Sequence, residues 1–321
     1  MSTMTAPTGT QLTFSKARGA RKIKNNAATT LVWLAFGIAL VPLVWLLWTV
    51  ISKGYHVVID SNWWVSDQAG ISKGVEGGGA SAAIIGTAEQ VALCTVISVP
   101  IALLVGIYLV EFGRGPLARV ATFMVDILTG VPSIVAALFI YALFVTTLGG
   151  FRAGWLVSLA LVILMIPVIV RTTEEMLRLV PDELREASYA LGIPKWKTIV
   201  RVVIPTAFTG LVTGVVLGVA RVAGETAPLL ILVGYSTTTN YNLFGGFQSS
   251  LPIMINSQFI DYTSGAGPVQ YHLDDNGHRV AGSVANFAPD RLWGAALTLI
   301  VIVMGLNLIA RLIGRRNKVT S

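Results

Sequence analysis

Six long apolar runs, separated by polar connectors, dominate the hydropathy pattern of the chain. They cover residues 31–51, 84–110, 120–147, 154–172, 206–234 and 292–312. A helix of about 20 residues crosses the hydrocarbon core of a bilayer, so each run is long enough for one crossing. The first five runs contain a proline, which membrane helices tolerate where neighbouring helices satisfy the freed carbonyl groups. The pattern predicts an all-α fold, a polytopic membrane helix bundle with six transmembrane helices.

The segments outside these runs complete the domain organisation. Residues 1–30 form a basic amino-terminal segment, and residues 313–321 form a short basic tail. The first apolar run is longer than the roughly 7–15 apolar residues of a signal peptide, so we expect a retained span and one membrane domain over 31–312. In the long connector 235–290, we expect a short interfacial helix and, at its Asn-Gly pair, a hairpin turn.

A polar, charge-rich segment at residues 180–205 lies between the fourth and fifth runs. Its first half has the spacing of an amphipathic helix, Gly192 and Pro194 break the pattern, and a second short helix follows from Lys195 towards Pro205. Glycine readily adopts the left-handed conformation that a sharp helix end requires. The segment therefore predicts a helix-turn-helix at the membrane surface.

Composition supports an integral membrane protein. Hydrophobic residues make up 54% of the 321 residues and charged residues only 12%, against about 25% charged residues in a typical soluble domain. The net charge of +7 comes from basic residues beside the apolar runs, which indicates membrane topology and no nucleic-acid partner. The single cysteine, Cys94, excludes an internal disulfide.

The distribution of basic residues predicts the orientation of the chain. Lysine and arginine concentrate in the cytoplasmic loops of membrane proteins. With a cytoplasmic amino terminus, 17 of the 23 basic residues lie on the cytoplasmic side and five lie outside. We therefore expect both termini, and the segment 180–205, in the cytoplasm.

Charged residues within the spans are candidates for an anion path. Arg221 and Glu225 in the fifth run have a spacing that would place them on one face of a continuous helix. A guanidinium binds a tetrahedral oxyanion through two parallel hydrogen bonds. We expect Arg221 to bind the anion, Glu225 to hold Arg221 between passages and Thr226 to offer a hydroxyl. The alternative is a salt bridge that only fastens the bundle.

Two more charged residues lie in the spans. Arg171 ends the fourth run, where it is either an inner counterpart of Arg221 on the anion path or a residue that snorkels to the interface. Asp126 in the third run is expected to cap or pair with a neighbouring helix, without a role in transport.

The segment Glu186-Ala187-Ser188, followed by Gly192 and by the VVIP sequence at 202–205, resembles the EAA loop of ABC-importer permeases. It departs from that consensus at Ser188, which replaces the second alanine. The resemblance implies a type I ABC-importer permease (MetI-like) fold. It also implies that Glu186, Ala187, Ser188 and Gly192 couple the chain to a separate ATP-hydrolysing subunit.

A second resemblance narrows the family. The run RVAGETAPLL at 221–230 is similar to the fifth-span signature of permeases of phosphate-specific transport systems, specifically their A subunit, as are residues 130–135 and 293–297. It implies inorganic phosphate as cargo, a sister permease of the C type, two copies of an ATPase subunit and an extracytoplasmic phosphate-binding protein, in the bacterial cytoplasmic membrane. This chain would bind no cofactor, because the partner ATPase uses ATP-Mg.

Other functions stay open on physical grounds. Arginine recognises sulfate, molybdate and phosphonate as well as phosphate. A stand-alone secondary anion transporter is a further alternative, although no inverted repeat is visible. The absence of a GxxxxGK[ST] motif predicts a transporter subunit without its own ATP site, not an enzyme. An intramembrane enzyme is disfavoured because all three histidines lie in the outer segments.

Overall fold

The computed structural model describes residues 19–264, 270–273, 279–282 and 286–316. Its helices are α1 (Gly19–Ile59), α2 (Ser61–Val65), α3 (Ser81–Ile107), α4 (Pro116–Gly130), α5 (Ser133–Ile140), α6 (Gly154–Arg178), α7 (Asp182–Ala190), α8 (Lys195–Thr198), α9 (Ile204–Ala223), α10 (Ala227–Leu232), α11 (Leu251–Thr263) and α12 (Ala288–Arg316). Three π-helical segments, Tyr108–Phe112, Tyr141–Thr147 and Ile199–Val203, follow α3, α5 and α8 directly. The strands β1 (Gln270–Leu273) and β2 (Arg279–Gly282) pair antiparallel.

The chain consists of two units, Met1–Thr49 and Val50–Ser321. The part of the first unit that the structure describes is the amino-terminal portion of α1, and all the packing described below lies within the second unit. In the described ranges, five helices are long and apolar enough to cross a membrane, or six if α4 and the π-extended α5 form one bent span. The predicted all-α bundle is confirmed. Helix α1 extends well beyond the predicted run 31–51 at both ends.

The third span is broken, which corrects the prediction of one kinked helix over 120–147. The helices Pro116–Gly130 and Ser133–Thr147 meet at an angle of 106°. Proline lacks a backbone N–H and pushes the residue before it towards an extended conformation. Val131, directly before Pro132, has φ −71° and ψ 121°. Prolines inside α3 and α6 do not break those helices.

The fifth span begins earlier and ends earlier than the predicted run 206–234. A continuous helical segment runs from Lys195 to Ala223 and contains Pro205. Directly before this proline, Ile204 N donates to the carbonyl oxygen of Ile199, five residues back, which is π geometry. The second helix of the predicted helix-turn-helix is therefore the start of the span itself. After Ala223 the helix stops, and α10 begins at Ala227 after three intervening residues.

Helix α6 lies at the centre of the bundle, and it is the most buried of the candidate spans in the described residues. It packs against α3, α4, α5 and α9. Helix α9 approaches it through glycines at every fourth position: Gly210 faces Met176, Gly214 faces Thr172 and Gly218 faces Ile169. Small residues at this spacing let membrane helices pack closely.

Two connectors, residues 66–80 between α2 and α3 and the long connector 235–290, are joined at the start of α12. Arg291 is 3% exposed. Arg291 donates to Gln258 Oε1 at 3.0 Å and to the carbonyl oxygens of Ser72, Val75 and Gly77. These bonds satisfy a buried charged group that has no carboxylate within ion-pair distance among the described residues.

The connector 235–290 contains the predicted short helix and hairpin. Helix α11 forms, but its residues 251–254 are buried against the bundle, so it is not a helix lying flat in the interface. The Tyr235 hydroxyl donates to Gln68 Oε1, and burial raises the pKa of Tyr235 to about 12. Strands β1 and β2 confirm the hairpin, whose turn residues 274–278 lie outside the described residues.

Replacing Gly214 with valine should destabilise the bundle. A Cβ at Gly214 would lie 2.5 Å from Thr172 Oγ1 and 2.8 Å from Thr172 Cβ, so α6 and α9 would have to separate. We expect a loss of about 1–3 kcal/mol, typical of overpacked positions, seen as a lower unfolding temperature of the purified protein in detergent. Gly305→Val in α12 is the matched control, because a Cβ there meets open space. Equal effects of the two substitutions would contradict close packing at Gly214.

Candidate functional site

The first candidate site is the coupling hairpin, which we define as α7, the turn at 191–194 and α8. The turn is a Schellman motif. Gly192 has φ +73°, its N–H donates to the Tyr189 carbonyl oxygen at 2.9 Å, and the next N–H, of Ile193, donates to the Ser188 carbonyl oxygen at 3.2 Å. The predicted role of Gly192 as the residue that permits the sharp turn is confirmed.

Ser188, the one departure from the EAA consensus, links the two arms of the coupling hairpin. Its hydroxyl lies 2.8 Å from that of Thr198 in α8, and both residues are buried. A buried hydroxyl pair of this kind satisfies both polar groups. Ser188 therefore faces the inside of the hairpin, while Glu186 and Ala187 are exposed on the outside.

The outer face of the coupling hairpin combines charge with exposed apolar surface. Glu186 and Ala187 share this exposed region with the large side chains of Leu191 and Trp196, which are 79% and 65% exposed. Apolar patches rimmed by polar residues mark sites of protein–protein contact. The geometry suits a docking face for another protein.

The inner side of the coupling hairpin contacts the end of α3, which the sequence reasoning missed. Arg185 of α7 forms an ion pair with Glu111 at 3.1 Å. Lys195 of α8 donates to the carbonyl oxygen of Glu111 and lies 4.6 Å from the centre of the Phe112 ring. The only sequence signal was an isolated acid at the end of an apolar run.

The second candidate site lies at the break in the fifth span. Arg221 is in the last turn of α9, whereas Glu225 lies in the non-helical segment that follows. The expectation that they share one helix face was therefore wrong, because the helix ends between them. In the part of the chain that the structure describes, no ion pair joins them. Thr226 directly precedes α10, and its side chain makes no capping hydrogen bond to that helix.

Arg171 lies two turns inside α6, not at the end of the fourth span as predicted. Its guanidinium donates to Glu174 Oε2 at 2.7 Å and to Asp126 of α4. Glu174 is 6% exposed, whereas the Asp126 side chain is 59% exposed. The expectation that Asp126 pairs with a neighbouring helix is confirmed. Arg171 is thus flanked by two carboxylates.

The two arginines occupy different levels of the bundle. Thr172, next to Arg171, faces Gly214 of α9. Arg221 lies seven residues farther along α9, which corresponds to about 10 Å at the rise of an α-helix. Arg171 is the nearer of the two to the coupling hairpin, because α6 leads into α7. The structure therefore does not bring Arg171 and Arg221 to one point, but it places them on neighbouring helices.

Comparisons with known proteins point to one family. Residues 98–318 match the family described as binding-protein-dependent transport system inner membrane component. The chain is similar to the phosphate transport system permease protein PstA 1 of Mycobacterium tuberculosis (strain CDC 1551 / Oshkosh). The two sequences are 50% identical over 91% of this chain and 89% of that protein.

Two solved structures have a similar fold. A chain of a bacterial alginate ABC transporter in complex with an alginate pentasaccharide-bound periplasmic protein matches with a TM-score of 0.57 and 12% identity, covering 95% of this chain and 100% of that one. A chain of the inward-facing MetNI methionine ABC transporter matches with a TM-score of 0.50 and 18% identity, covering 73% and 91%. These structures bear on the fold alone, and they confirm the predicted MetI-like permease fold.

Thr198→Val should destabilise the coupling hairpin more than the double substitution Ser188→Ala with Thr198→Val. The single change leaves the buried Ser188 hydroxyl without its partner, which costs about 1–3 kcal/mol, whereas the double change removes both polar groups. Thermal unfolding of the purified single and double variants measures this coupling. Strictly additive losses would contradict the hydroxyl pair.

Proposed function

The chain belongs to the binding-protein-dependent transport system inner membrane components, and among them to the phosphate transport system permeases of the PstA type, and we propose that it is a membrane subunit of an ATP-driven importer of inorganic phosphate. It is a multi-pass protein of the bacterial inner membrane. The observation that carries the proposal is the continuous helix from Lys195 to Ala223. It joins a protein-docking hairpin at one end to a candidate anion-binding arginine at the other.

The coupling hairpin is the proposed docking site for a separate ATPase subunit. Its outer face presents Glu186, Ala187 and exposed apolar side chains, while Ser188 and Gly192 maintain the fold of the hairpin. This chain would have no ATP site and bind no cofactor, because the partner ATPase uses ATP-Mg. Two such ATPase subunits would serve the two permeases of a complete importer.

Arg221 supports a second permease as partner. It is exposed on the flank of α9, and a charge facing lipid at mid-membrane costs on the order of 2.5–3.5 kcal/mol. Contact with a sister permease of the C type and a shared, hydrated path removes that cost. An external phosphate-binding protein would deliver the anion to this path.

In the proposed mechanism, Arg221 binds phosphate through paired N–H donors, and Arg171 forms the inner level of the same path. Glu225 and Thr226 lie in the break that follows Arg221. Their side chains would orient the Arg221 guanidinium or the bound anion. Closure of the ATPase dimer moves the coupling hairpin and with it the lower part of the fifth span. Both termini and the hairpin lie in the cytoplasm in this proposal, as the basic residues predict.

Arg221→Gln should strongly reduce phosphate uptake. Loss of a charge-assisted pair of hydrogen bonds reduces transport by about 10–100-fold, and Arg221→Lys should fall between because lysine lacks the planar fork. The measurement is uptake of radiolabelled phosphate by cells that lack the chain and carry the native or variant sequence. Arg119→Gln, an exposed arginine at the start of α4, is the control and should transport normally.

Two results would contradict this assignment. Full phosphate uptake with Arg221→Gln would be compatible with a phosphate importer but would show that Arg221 is not part of the anion path. If the native chain restored uptake of sulfate and not of phosphate, sulfate would be the cargo. Molybdate and phosphonate can be tested in the same cells.

Glu186→Lys and Gly192→Pro should each prevent the ATPase subunit from co-purifying with this chain. The first reverses the charge on the docking face. The second cannot adopt the positive φ of the turn, because proline is restricted to φ near −65°. Glu175→Lys, an exposed acid in the last turn of α6, serves as the control and should retain the subunit. Co-purification with both hairpin variants would contradict docking at this site.

A further inference from the structure

The guanidinium of Arg185 joins three segments of the chain. Its Nε and Nη2 atoms donate to Glu111 Oε1, at the end of α3, at 3.3 and 3.1 Å. It also donates to the carbonyl oxygens of Leu177 and Val180 at the end of α6, at 3.0 and 2.6 Å. Asp182 of α7 accepts a further bond at 3.1 Å. One side chain therefore connects the coupling hairpin to the ends of two spans.

The two carboxylate partners of Arg185 differ in their exposure to water. The side chains of Arg185 and Glu111 are 13% and 5% exposed, whereas that of Asp182 is 87% exposed. Solvent and salt weaken exposed ion pairs much more than buried ones. Glu111 is therefore the strong partner of Arg185, and Asp182 is the weak one.

The second arm of the coupling hairpin contacts the same point. Lys195 donates to the backbone carbonyl oxygen of Glu111, and its ammonium lies over the Phe112 ring. Glu111 is thus bound by both arms, through its side chain by α7 and through its backbone by α8. The proposed docking residues Glu186 and Ala187 are exposed and take no part in these contacts. The inner contact with α3 is separate from the outer docking face.

The end of α3 is in close contact with α6. A Cβ at Gly106, which precedes the π-helical segment Tyr108–Phe112, would lie 2.6 Å from Thr173 Cγ2. Close-packed interiors transmit a displacement because they leave no free volume to absorb it. Arg171, with its two carboxylate partners, lies two residues from Thr173. A movement of Glu111 would therefore reach the inner arginine through α3 and α6.

We propose that Glu111 is a positioning residue for transport: its contacts with Arg185 and Lys195 form a rigid joint through which the coupling hairpin moves α3. This inference rests on the proposed function, because it assigns the path by which movement of the ATPase reaches the spans. A purely structural anchor would hold the hairpin in its fold. A joint also determines how much phosphate is moved for each ATP hydrolysed.

The first test uses the complete importer, purified through a tag on the ATPase subunit and reconstituted in vesicles with the external binding protein and phosphate. Glu111→Gln keeps a hydrogen-bond acceptor of the same size but removes the charge. We expect the variant chain to co-purify normally with the tagged ATPase subunit, while phosphate uptake per ATP hydrolysed falls about tenfold, as for the loss of one charge-assisted hydrogen bond. Glu111→Asp, which keeps the charge, should retain most of the native ratio.

Asp182→Asn is the matched control, because it removes the exposed partner of the same arginine and should leave the ratio unchanged. A native ratio in Glu111→Gln would overturn the proposal. Loss of the ATPase subunit from Glu111→Gln would overturn it too, since the pair would then only maintain the hairpin.

The second test does not depend on the cargo, so it separates failure of the joint from failure of the proposed function. Spin labels at Glu183→Cys, an exposed position in the first turn of α7 that is not among the docking residues, and at Arg114→Cys report the distance between the coupling hairpin and the loop that follows α3. Native Cys94 is buried and unreactive towards the label. We expect the same distance with and without ATP in the otherwise native complex, and a nucleotide-dependent distance with Glu111→Gln. A distance that already changes with ATP in the native complex would overturn the rigid joint, even if phosphate proved not to be the cargo.

Discussion

Backbone polar groups inside a bilayer must be satisfied by the protein itself, and this constraint determines where the chain can interrupt its spans. It does so at Val131–Pro132 and at Gly224–Thr226. At each break the first N–H after the helix donates a hydrogen bond back to that helix. Val131 N donates to the Leu128 carbonyl oxygen, and Gly224 N donates to the Arg221 carbonyl oxygen. The short helices after the breaks, α5 and α10, pack against each other and against α6. Both interrupted spans therefore depend on the buried helix α6.

The charges near these breaks make the two levels of the bundle electrostatically different. Arg171 is paired with two carboxylates, Glu174 and Asp126, which outweigh its single positive charge, whereas no described carboxylate lies within ion-pair distance of Arg221. An anion is attracted to a cation in proportion to the net local charge, so it would be attracted more strongly at Arg221 than at Arg171. In the proposed path, the anion would therefore not be held tightly a second time at Arg171. Broken helices near the middle of a membrane are a common way to build such sites.

The sequence predicted those features that one residue type imposes locally. The role of Gly192 was predictable because the turn requires a residue in the left-handed backbone conformation. The positions of the spans were predictable from the length and hydropathy of the apolar runs. The breaks were less predictable, since Pro132 interrupts a helix while Pro167 lies within a continuous one, and that difference arises from packing. The pair Glu111–Arg185 was not predictable, because its members are 74 residues apart and only the fold brings them together.

The break after Ala223 also separates α9, which is continuous with the coupling hairpin, from the short helix α10. The continuous segment Lys195–Ala223 has 29 residues, about 44 Å of helix, so a displacement at the coupling hairpin reaches Arg221. Gly210, Gly214 and Gly218 present backbone, not side chains, to α6, so the two helices are in close contact over two turns. Because the helix ends two residues after Arg221, a displacement of α9 is not forced on α10. In the proposed mechanism, that short helix would stay packed with α5 on α6 while Arg221 changes its access.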